Sequence, residues 1–263
     1  MNKRSTKKII IALVFFFAIA AISWGVISLT KYEPQVKETC YDGKQNQKEE
    51  GVDCGGPCAV ECNKIDILSV KYIYIKDGFY STVAEVRNLD QNQGADNIPY
   101  VFELLNSAGK VVGKKNGSTF ILPNQKKYIV EPRLESSQNV SRARLSFRDS
   151  AVSWQRVDEK FQSPFLVIRD KEYRLLVGEP GYSQATGVVI NKSNIGFDVV
   201  EAKVVLFDTE GEIIGVNSTE INTLIPEQER YFETTWFDNI RGNVTEVSMS
   251  AETNIFKESN VIR

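Results

Sequence analysis

Histidine is absent from all 263 residues of the chain. Its absence excludes Ser-His-Asp and Cys-His catalysis and every zinc site built on imidazole. The sequence also lacks a G-x-S-x-G motif and a Walker phosphate loop, and Gly55-Gly56 lies in a cysteine-rich stretch rather than between a strand and a helix. Carboxylate pairs, Ser-Lys pairs and tyrosine remain as catalytic groups, but nothing assembles them into a pattern. We therefore expect a protein that is not an enzyme.

A strong charge of one sign is also missing, because 34 acidic residues face 32 basic ones and the net charge is −2. Four of the positive charges form an N-terminal tip, so the remainder of the chain carries −6. Such a balance argues against nucleic acid as a partner and against flat docking on anionic lipid. The tip consists of Lys3, Arg4, Lys7 and Lys8.

Residues 9–29 form an uncharged apolar run. As a helix the run would measure roughly 31 Å, which is about the thickness of a bilayer core. The positive tip predicts that residues 1–8 stay in the cytoplasm and that the rest of the chain is exported. A cleaved signal peptide is the alternative, since Ala18-Ile19-Ala20 resembles a cleavage site, but the run continues well beyond it. We expect a single-pass anchor in the cell membrane, followed by a stalk over residues 30–39.

All four cysteines lie within residues 40–62. An even number of cysteines in an exported, loop-rich segment predicts two disulfides, for which three pairings are open. A zinc site is the alternative, although the spacing lacks a C-x2-C knuckle. The four are Cys40, Cys54, Cys58 and Cys62.

The same segment carries four oxygen-bearing side chains, Asp42, Asn46, Glu49 and Asp53. Clustered oxygen ligands suit calcium, whereas Asp and Asn also commonly cap turns without a metal. The pattern C-x-D-G-x-x-N-x-x-E-x-G-x-D-C-G-G-x-C-x-x-x-C resembles a small cysteine module of microbial surface proteins and is loosely similar to calcium-binding Notch-type repeats. That resemblance implies calcium held by these four residues. We expect no other cofactor.

Residues 65–158 and 163–263 repeat one pattern. LLNSAGKVVG at 104–113 matches LFDTEGEIIG at 206–215, and LPNQ at 122–125 matches IPEQ at 225–228. In both copies a glycine with positive φ is expected to close a hairpin. Period-2 alternation, aromatic and β-branched residues, and regular turns predict strands, and no helical period follows the anchor. The fold class is therefore all-β, with two tandem immunoglobulin-like β-sandwiches.

Residues 102–106 (FELLN) and 204–208 (VVLFD) both resemble the F-x-L-Y-D signature of the FxLYD family. The resemblance implies a small immunoglobulin-like or late-embryogenesis-abundant-like β-sandwich of prokaryotic envelope proteins, without catalytic residues. Between the copies, residues 151–157 are expected to form the last strand of the first copy rather than a plain linker. So short a connection predicts a fixed tandem rod.

Two groups of residues invite a functional reading. The first group is aromatic and forms either a carbohydrate-stacking platform or, as we expect, part of the core. It consists of Tyr72, Tyr74, Phe79 and Tyr80. The same two interpretations apply to Trp236-Phe237, and again we expect a core role. Five N-x-S/T sequons are glycosylation candidates, depending on the organism. They are Asn116, Asn139, Asn191, Asn217 and Asn243.

These features predict a membrane-anchored, extracytoplasmic binding or structural module of the cell envelope, with envelope proteins or glycans as partners. The alternative is a subunit of a membrane-embedded assembly, such as a secretion, pilus or surface-layer apparatus. An enzyme is the third and least supported hypothesis.

Overall fold

A computed structural model describes most of the chain. The described residues are 13–21, 23, 24, 40, 42, 44, 46, 48, 49, 56–58, 64–148, 152–158 and 161–262. The chain divides into two compact units, residues 1–63 and residues 64–263.

In the first unit, residues 13–21, 23 and 24 are helical and exposed. The hydroxyl of Ser23 donates to the carbonyl of Ile19 at 2.8 Å, as polar side chains in helices often do. Within the described residues, no helix combines the length and the apolar character needed to cross a membrane. The remaining residues of the expected anchor lie outside the described part.

A disulfide joins Cys40 to Cys58, with 5.6 Å between their Cα atoms. The predicted use of cysteine in disulfides is confirmed for this pair, and this pairing is one of the three left open by the sequence. Cys54 and Cys62 lie outside the described residues.

The second unit is all-β, as predicted, and its first half contains seven strands that form sandwich 1. One sheet has the order β1-β2-β5; the other has the order β4-β3-β6, and β7 pairs with the start of β3. All pairings are antiparallel. The strands are β1 (Ile65–Lys76), β2 (Phe79–Asn88), β3 (Gln93–Leu105), β4 (Val111–Ile121), β5 (Lys126–Glu135), β6 (Arg142–Phe147) and β7 (Trp154–Arg156).

The second half repeats this topology as sandwich 2. One sheet has the order β8-β9-β12; the other has the order β11-β10-β13, and β14 pairs with the start of β10. A one-turn 3-10 helix, Glu258–Asn260, precedes the last strand. The strands are β8 (Leu166–Leu175), β9 (Ser183–Asn191), β10 (Gly196–Phe207), β11 (Ile213–Leu224), β12 (Glu229–Trp236), β13 (Glu246–Glu252) and β14 (Val261–Ile262).

The two copies share their hairpin turns in detail. Gly109 and Gly211 have φ values of 76° and 77°, the left-handed region that glycine adopts without strain. At the start of each turn a side-chain oxygen, from Asn106 or from Asp208, accepts two backbone N–H bonds. The fifth position of each signature-like segment therefore caps a turn, a role that the Asn of one copy and the Asp of the other can both fill.

The two sandwiches also share a buried asparagine at the same place in the fold. The amide nitrogen of Asn88 donates to the carbonyls of Gln93 at 2.7 Å and Leu122 at 2.9 Å. The amide nitrogen of Asn191 likewise donates to the carbonyls of Ile195 at 2.8 Å and Leu224 at 3.0 Å. Both side chains are fully buried, and these bonds satisfy their amide nitrogens inside the fold.

Each sandwich has its own core. Phe102 and Leu104 lie at the centre of the first core, and Phe197, Val204 and Leu206 at the centre of the second. In both cores, alternate residues of the two facing sheets point inward and pack against each other, as the period-2 alternation of the sequence predicts. Trp154, in the expected last strand of sandwich 1, packs against the first core.

Candidate functional site

The two sandwiches pack face to face through a third apolar cluster. It consists of Val83 and Val130 from the outer face of β2 and β5, and Val205 and Val216 from the outer face of β10 and β11. Val205 and Val216 are each 1% exposed, so strand β10 is buried on both of its faces. The expectation of a fixed arrangement agrees with this cluster. The expected rod does not, because sheet faces rather than sandwich ends are in contact.

Three charged side chains, here called the charged triad, are buried beside the valine cluster. Glu252 of β13 forms ion pairs with Lys127 of β5, at 2.7 Å, and with Lys203 of β10. The ammonium group of Lys203 also donates to the carbonyl of Tyr128 at 2.8 Å, and that of Lys127 donates to the carbonyl of Phe120 at 2.9 Å. The triad therefore joins strands of both sandwiches in one hydrogen-bonded network.

Burial and mutual attraction shift the pKa values of the triad in different directions. Burial lowers the pKa of Lys127 to about 8, against the attraction of Glu252, and the positive charge of Lys203 acts in the same direction as burial. Burial also disfavours charged Lys203, but Glu252 and Glu201 together raise its pKa. Burial opposes ionised Glu252, yet the two lysines hold the pKa of its carboxyl below the usual range.

The segment after β13 adds a second contact between the sandwiches. The amide nitrogen of Asn254 donates to the carbonyl of Asp96 at 2.9 Å. The ring of Phe256 lies where a Cβ atom at Gly94 would be, at 2.6 Å, and the same Cβ atom would lie 2.5 Å from the carbonyl of Ile121. Glycine at position 94 therefore allows the close approach of the two sandwiches.

A cleft of about 260 Å³ opens between the sandwiches on another side of the interface. Its walls are mostly apolar and come from both sandwiches. Phe237 stands at the cleft with 75% of its surface exposed, beside the half-buried Trp236. The apolar lining residues include Ile73, Tyr74, Pro132, Ile214, Trp236 and Phe237.

Most polar side chains of the cleft are engaged in bonds within the protein. The hydroxyl of Ser81 donates to the carbonyl of Pro132 at 2.6 Å, and the amide of Asn217 donates to the carbonyl of Thr235 at 3.0 Å. Asp238 forms an ion pair with Lys76 of sandwich 1 at 2.9 Å. These bonds hold the walls of the cleft in place.

Two arginines stack on aromatic rings beside this cleft: Arg133 lines it, and Arg241 stacks on the lining residue Tyr74. The guanidinium carbon of Arg133 lies 4.0 Å from the ring centre of Phe79, and that of Arg241 lies 3.8 Å from the ring centre of Tyr74. Both arginine side chains are exposed. Arg241 belongs to sandwich 2 and Tyr74 to sandwich 1, so this stacking also bridges the two sandwiches.

The aromatic residues singled out from the sequence divide between core and cleft. Tyr80 is buried, and the rings of Tyr72 and Tyr74 pack edge to face against it at 5.9 and 5.5 Å. This packing agrees with the expected core role rather than with a flat carbohydrate platform. Trp236 packs against the second core, whereas Phe237 is exposed.

Three of the four calcium candidates lie close together in the first unit. The amide of Asn46 donates to a carboxylate oxygen of Asp42 at 3.0 Å, and its backbone N–H donates to Glu49 at 3.1 Å. Glu49 also contacts Cys58, whose sulfur is part of the disulfide and so is not a thiolate ligand. The side-chain oxygen of Asn46 is buried and has no hydrogen-bond partner within the described residues. Asp53 lies outside the described part.

The five sequons differ in exposure. Asn116, Asn139 and Asn243 are exposed, and Asn217 is half-buried at the cleft. Asn191 is fully buried in sandwich 2, and a glycan on its nitrogen would remove at least one of the two bonds that this nitrogen donates.

Sequence reasoning missed the charged triad and the two stacked arginines. The one available signal was Lys203, a charge within the apolar run of residues 202–206. Lys127 and Glu252 stand in strands whose sequences are typical of strands with one solvated face. Nothing in the sequence indicates that these two residues, 125 positions apart, form a contact.

No protein-family model and no curated protein sequence matches the chain. Its likeness to solved structures is weak, as two examples show. A red sea bream transglutaminase matches 73% of this chain with 14% identity and a TM-score of 0.25, and a Bacteroides uniformis beta-glucuronidase 2 matches 72% with 10% identity and a TM-score of 0.24. The matches span only 29% and 25% of those two proteins.

Proposed function

We propose that the protein is a non-catalytic binding module of the cell envelope, and that the cleft between the two sandwiches is its binding surface. The observation that carries this proposal is the buried interface, where the valine cluster and the charged triad fix both walls of the cleft. A preformed, mostly apolar concavity with few polar groups is the usual form of a binding site. Preformed walls also reduce the ordering cost of binding.

Residues 9–29 would anchor this module in the membrane as a single span, with the tip in the cytoplasm and the sandwiches outside. The uncharged run and the four positive charges before it support this topology. The two seven-stranded sandwiches are compatible with immunoglobulin-like domains of the FxLYD type. The disulfide between Cys40 and Cys58 supports an exported location, since disulfides persist in oxidising compartments.

Calcium in the cysteine segment belongs to the same proposal. Asp42, Asn46 and Glu49 offer oxygen atoms of the type that calcium prefers, and the buried oxygen of Asn46 would gain a partner. If calcium binds there, the thermal midpoint of the full-length protein should rise in millimolar calcium. The same midpoint in calcium and in chelator would contradict the idea.

Site-specific crosslinking in cells tests the cleft as the binding surface. A photo-crosslinking amino acid is incorporated at position 237 in the cleft and, as the matched control, at position 177. Val177 is also an exposed apolar residue, 87% exposed, and is not among the residues lining the cleft. We expect one reproducible adduct from position 237 and none from position 177, identified by mass spectrometry.

The adduct distinguishes the two functional hypotheses. A single membrane partner at constant stoichiometry would mean an assembly subunit, whereas glycan or several surface proteins would mean a free-standing binding module. Equal labelling from both positions would show that the cleft is not a binding surface. Turnover of peptidase or glycosidase substrates by the purified protein would overturn the non-catalytic assignment.

A further inference from the structure

The chemistry of the cleft points to more than an apolar ligand, because both ring-stacked arginines described above lie beside it. A stacked guanidinium has its face covered by the ring while its N–H groups stay at the edge, free to bind an anion. Within the described part of the chain, neither Arg133 nor Arg241 forms an ion pair. Three other described arginines, Arg144, Arg169 and Arg174, do form ion pairs with carboxylates.

The remaining charges near the cleft are balanced or engaged. Asp238 is neutralised by Lys76, whereas Asp77 keeps its negative charge and accepts a hydrogen bond from the hydroxyl of Tyr74. The two arginines outnumber Asp77 and so leave an excess of positive charge beside the cleft, in a protein whose residues beyond the N-terminal tip carry −6. Such a local reversal of charge favours a negatively charged partner.

The size and lining of the cleft restrict the partner further. A volume of about 260 Å³ is below the range of about 300–1,000 Å³ typical of sites for whole small molecules. It suits one large side chain placed between Ile73, Ile214 and Phe237. An apolar wall of this kind favours a peptide side chain over a sugar, which would leave hydroxyl groups without partners.

We infer that the cleft binds an acidic peptide segment, in which one bulky apolar side chain enters the cleft and the flanking carboxylates pair with Arg133 and Arg241. Arginine forks match carboxylates in a bidentate geometry, which fixes the direction of the peptide as well as its charge. The inference rests on the proposed function and specifies the partner of the same site.

Trp236 in the cleft wall allows binding to be measured on the full-length chain. The protein has three tryptophans, so the double variant Trp24→Phe, Trp154→Phe leaves Trp236 as the only one. The probe is the blocked peptide acetyl-Glu-Phe-Glu-amide, titrated at low salt against this variant in detergent. Its controls are the neutral acetyl-Gln-Phe-Gln-amide and the non-aromatic acetyl-Glu-Ala-Glu-amide.

We expect a saturable change in Trp236 emission with the acidic aromatic peptide, and at least about tenfold weaker binding of both control peptides, since each lacks one of the two interactions. Arg133→Gln and Arg241→Gln together should weaken binding of the acidic peptide about tenfold or more and leave the neutral peptide unaffected. Arg148→Gln, an exposed arginine of sandwich 1 that does not line the cleft, is the matched control and should change nothing. Thermal midpoints of all variants verify that they are folded.

Equal affinities for the acidic and neutral peptides would overturn the inference, and so would an affinity that ignores both arginine substitutions. Tighter binding of trigalacturonate than of the peptide would assign the cleft to an acidic glycan instead. If position 237 still crosslinks to a partner in cells when both arginines are replaced, the binding function stands and the acidic-peptide assignment fails. Without any crosslink from position 237, both fail.

Discussion

The two sandwiches have the same topology, but they differ at the positions where they meet. In sandwich 1, Val83 and Val130 are direct neighbours on β2 and β5 and lie in the interface. The equivalent neighbours on β9 and β12 of sandwich 2 are Thr186 and Glu233, on a face outside the valine cluster. The face used by sandwich 1 is therefore polar in sandwich 2.

The other half of the interface shows the reverse. Val205 and Val216 are direct neighbours on β10 and β11 of sandwich 2. Their equivalents on β3 and β4 of sandwich 1 are Glu103 and Lys114, and Glu103 pairs with Arg144 at 2.6 Å. Two non-equivalent sheets thus meet, which is a heterologous contact of the kind that could continue indefinitely. The unused face of each sandwich carries polar residues at the positions of these valines.

The largest effect is expected when an interface valine of sandwich 1 is replaced by the polar residue found at the equivalent position of sandwich 2. Val130→Glu copies Glu233 into the valine cluster and buries a carboxylate without a partner. We expect the free energy of unfolding to fall by about 3–5 kcal/mol, measured by urea denaturation of the full-length protein. The reciprocal change Glu233→Val, on the exposed face, should stay within about 0.5 kcal/mol. Similar losses for both variants would show that the two faces do not differ in burial.

A second prediction separates the members of the charged triad. Glu252→Gln leaves the buried Lys127 without a carboxylate and leaves Lys203 with only the half-buried Glu201, at 3.3 Å. It should cost about 3 kcal/mol or more. Lys127→Met leaves Glu252 paired with Lys203, and it removes the ammonium group whose charged form is disfavoured by burial. We therefore expect a much smaller loss for Lys127→Met than for Lys203→Met. Equal losses in urea denaturation would contradict the opposite pKa shifts of the two lysines, lowered for Lys127 and raised for Lys203.

The third prediction concerns pH. The pKa of Lys127 is about 8 in the folded protein, against 10.5 ordinarily. Between these values the unfolded chain binds more protons at Lys127 than the folded chain, so this lysine makes stability rise with pH over that window. The free energy of unfolding is measured by urea denaturation from pH 7.5 to 10 for the wild type and for Lys127→Met. The difference between the two proteins isolates the contribution of Lys127 from that of other groups. A difference that is flat or falls with pH would contradict the lowered pKa.

The smallest effect is expected when the polar residues on the two unused sheet faces are replaced by valine. The double variant Thr186→Val, Glu233→Val imitates the face of sandwich 1, and Glu103→Val, Lys114→Val imitates that of sandwich 2. A mixture of the two should form a weak heterodimer by sedimentation velocity, since the connection that raises effective concentration within one chain is missing. No association at high micromolar concentration would show that the valines do not define the interface.

The sequence predicted individual strands better than their assembly. Alternating residues identified β10, and the shared segments around Gly109 and Gly211 identified the duplication, because hairpins and core strands depend on local patterns. The packing of the sandwiches depends on four valines spread over more than 130 positions, and valine is common on any strand. The apolar residues on both faces of β10 indicated a second buried face, but not which sheet covers it.

The cleft was still harder to predict. Phe237 was noted as one of two adjacent aromatics, but its exposure depends on the neighbouring Trp236 turning towards the second core. Arg133 and Arg241 belong to different sandwiches, and only the packing of one on the other brings Arg241 to Tyr74. Sites formed between two duplicated domains have no contiguous motif, so their residues cannot be read from either copy alone.

The buried Asn191 has a consequence for how the chain matures. Its sequon is accessible to an oligosaccharyltransferase only before β9 and β12 pair, whereas Asn116 stays accessible afterwards. In a cell that glycosylates exported proteins, occupancy of Asn191 relative to Asn116 would therefore compare the rate of folding with the rate of glycan transfer. A chain modified at Asn191 would lack a native hydrogen bond. A glycan at this sequon therefore marks each individual chain in which glycan transfer was faster than folding.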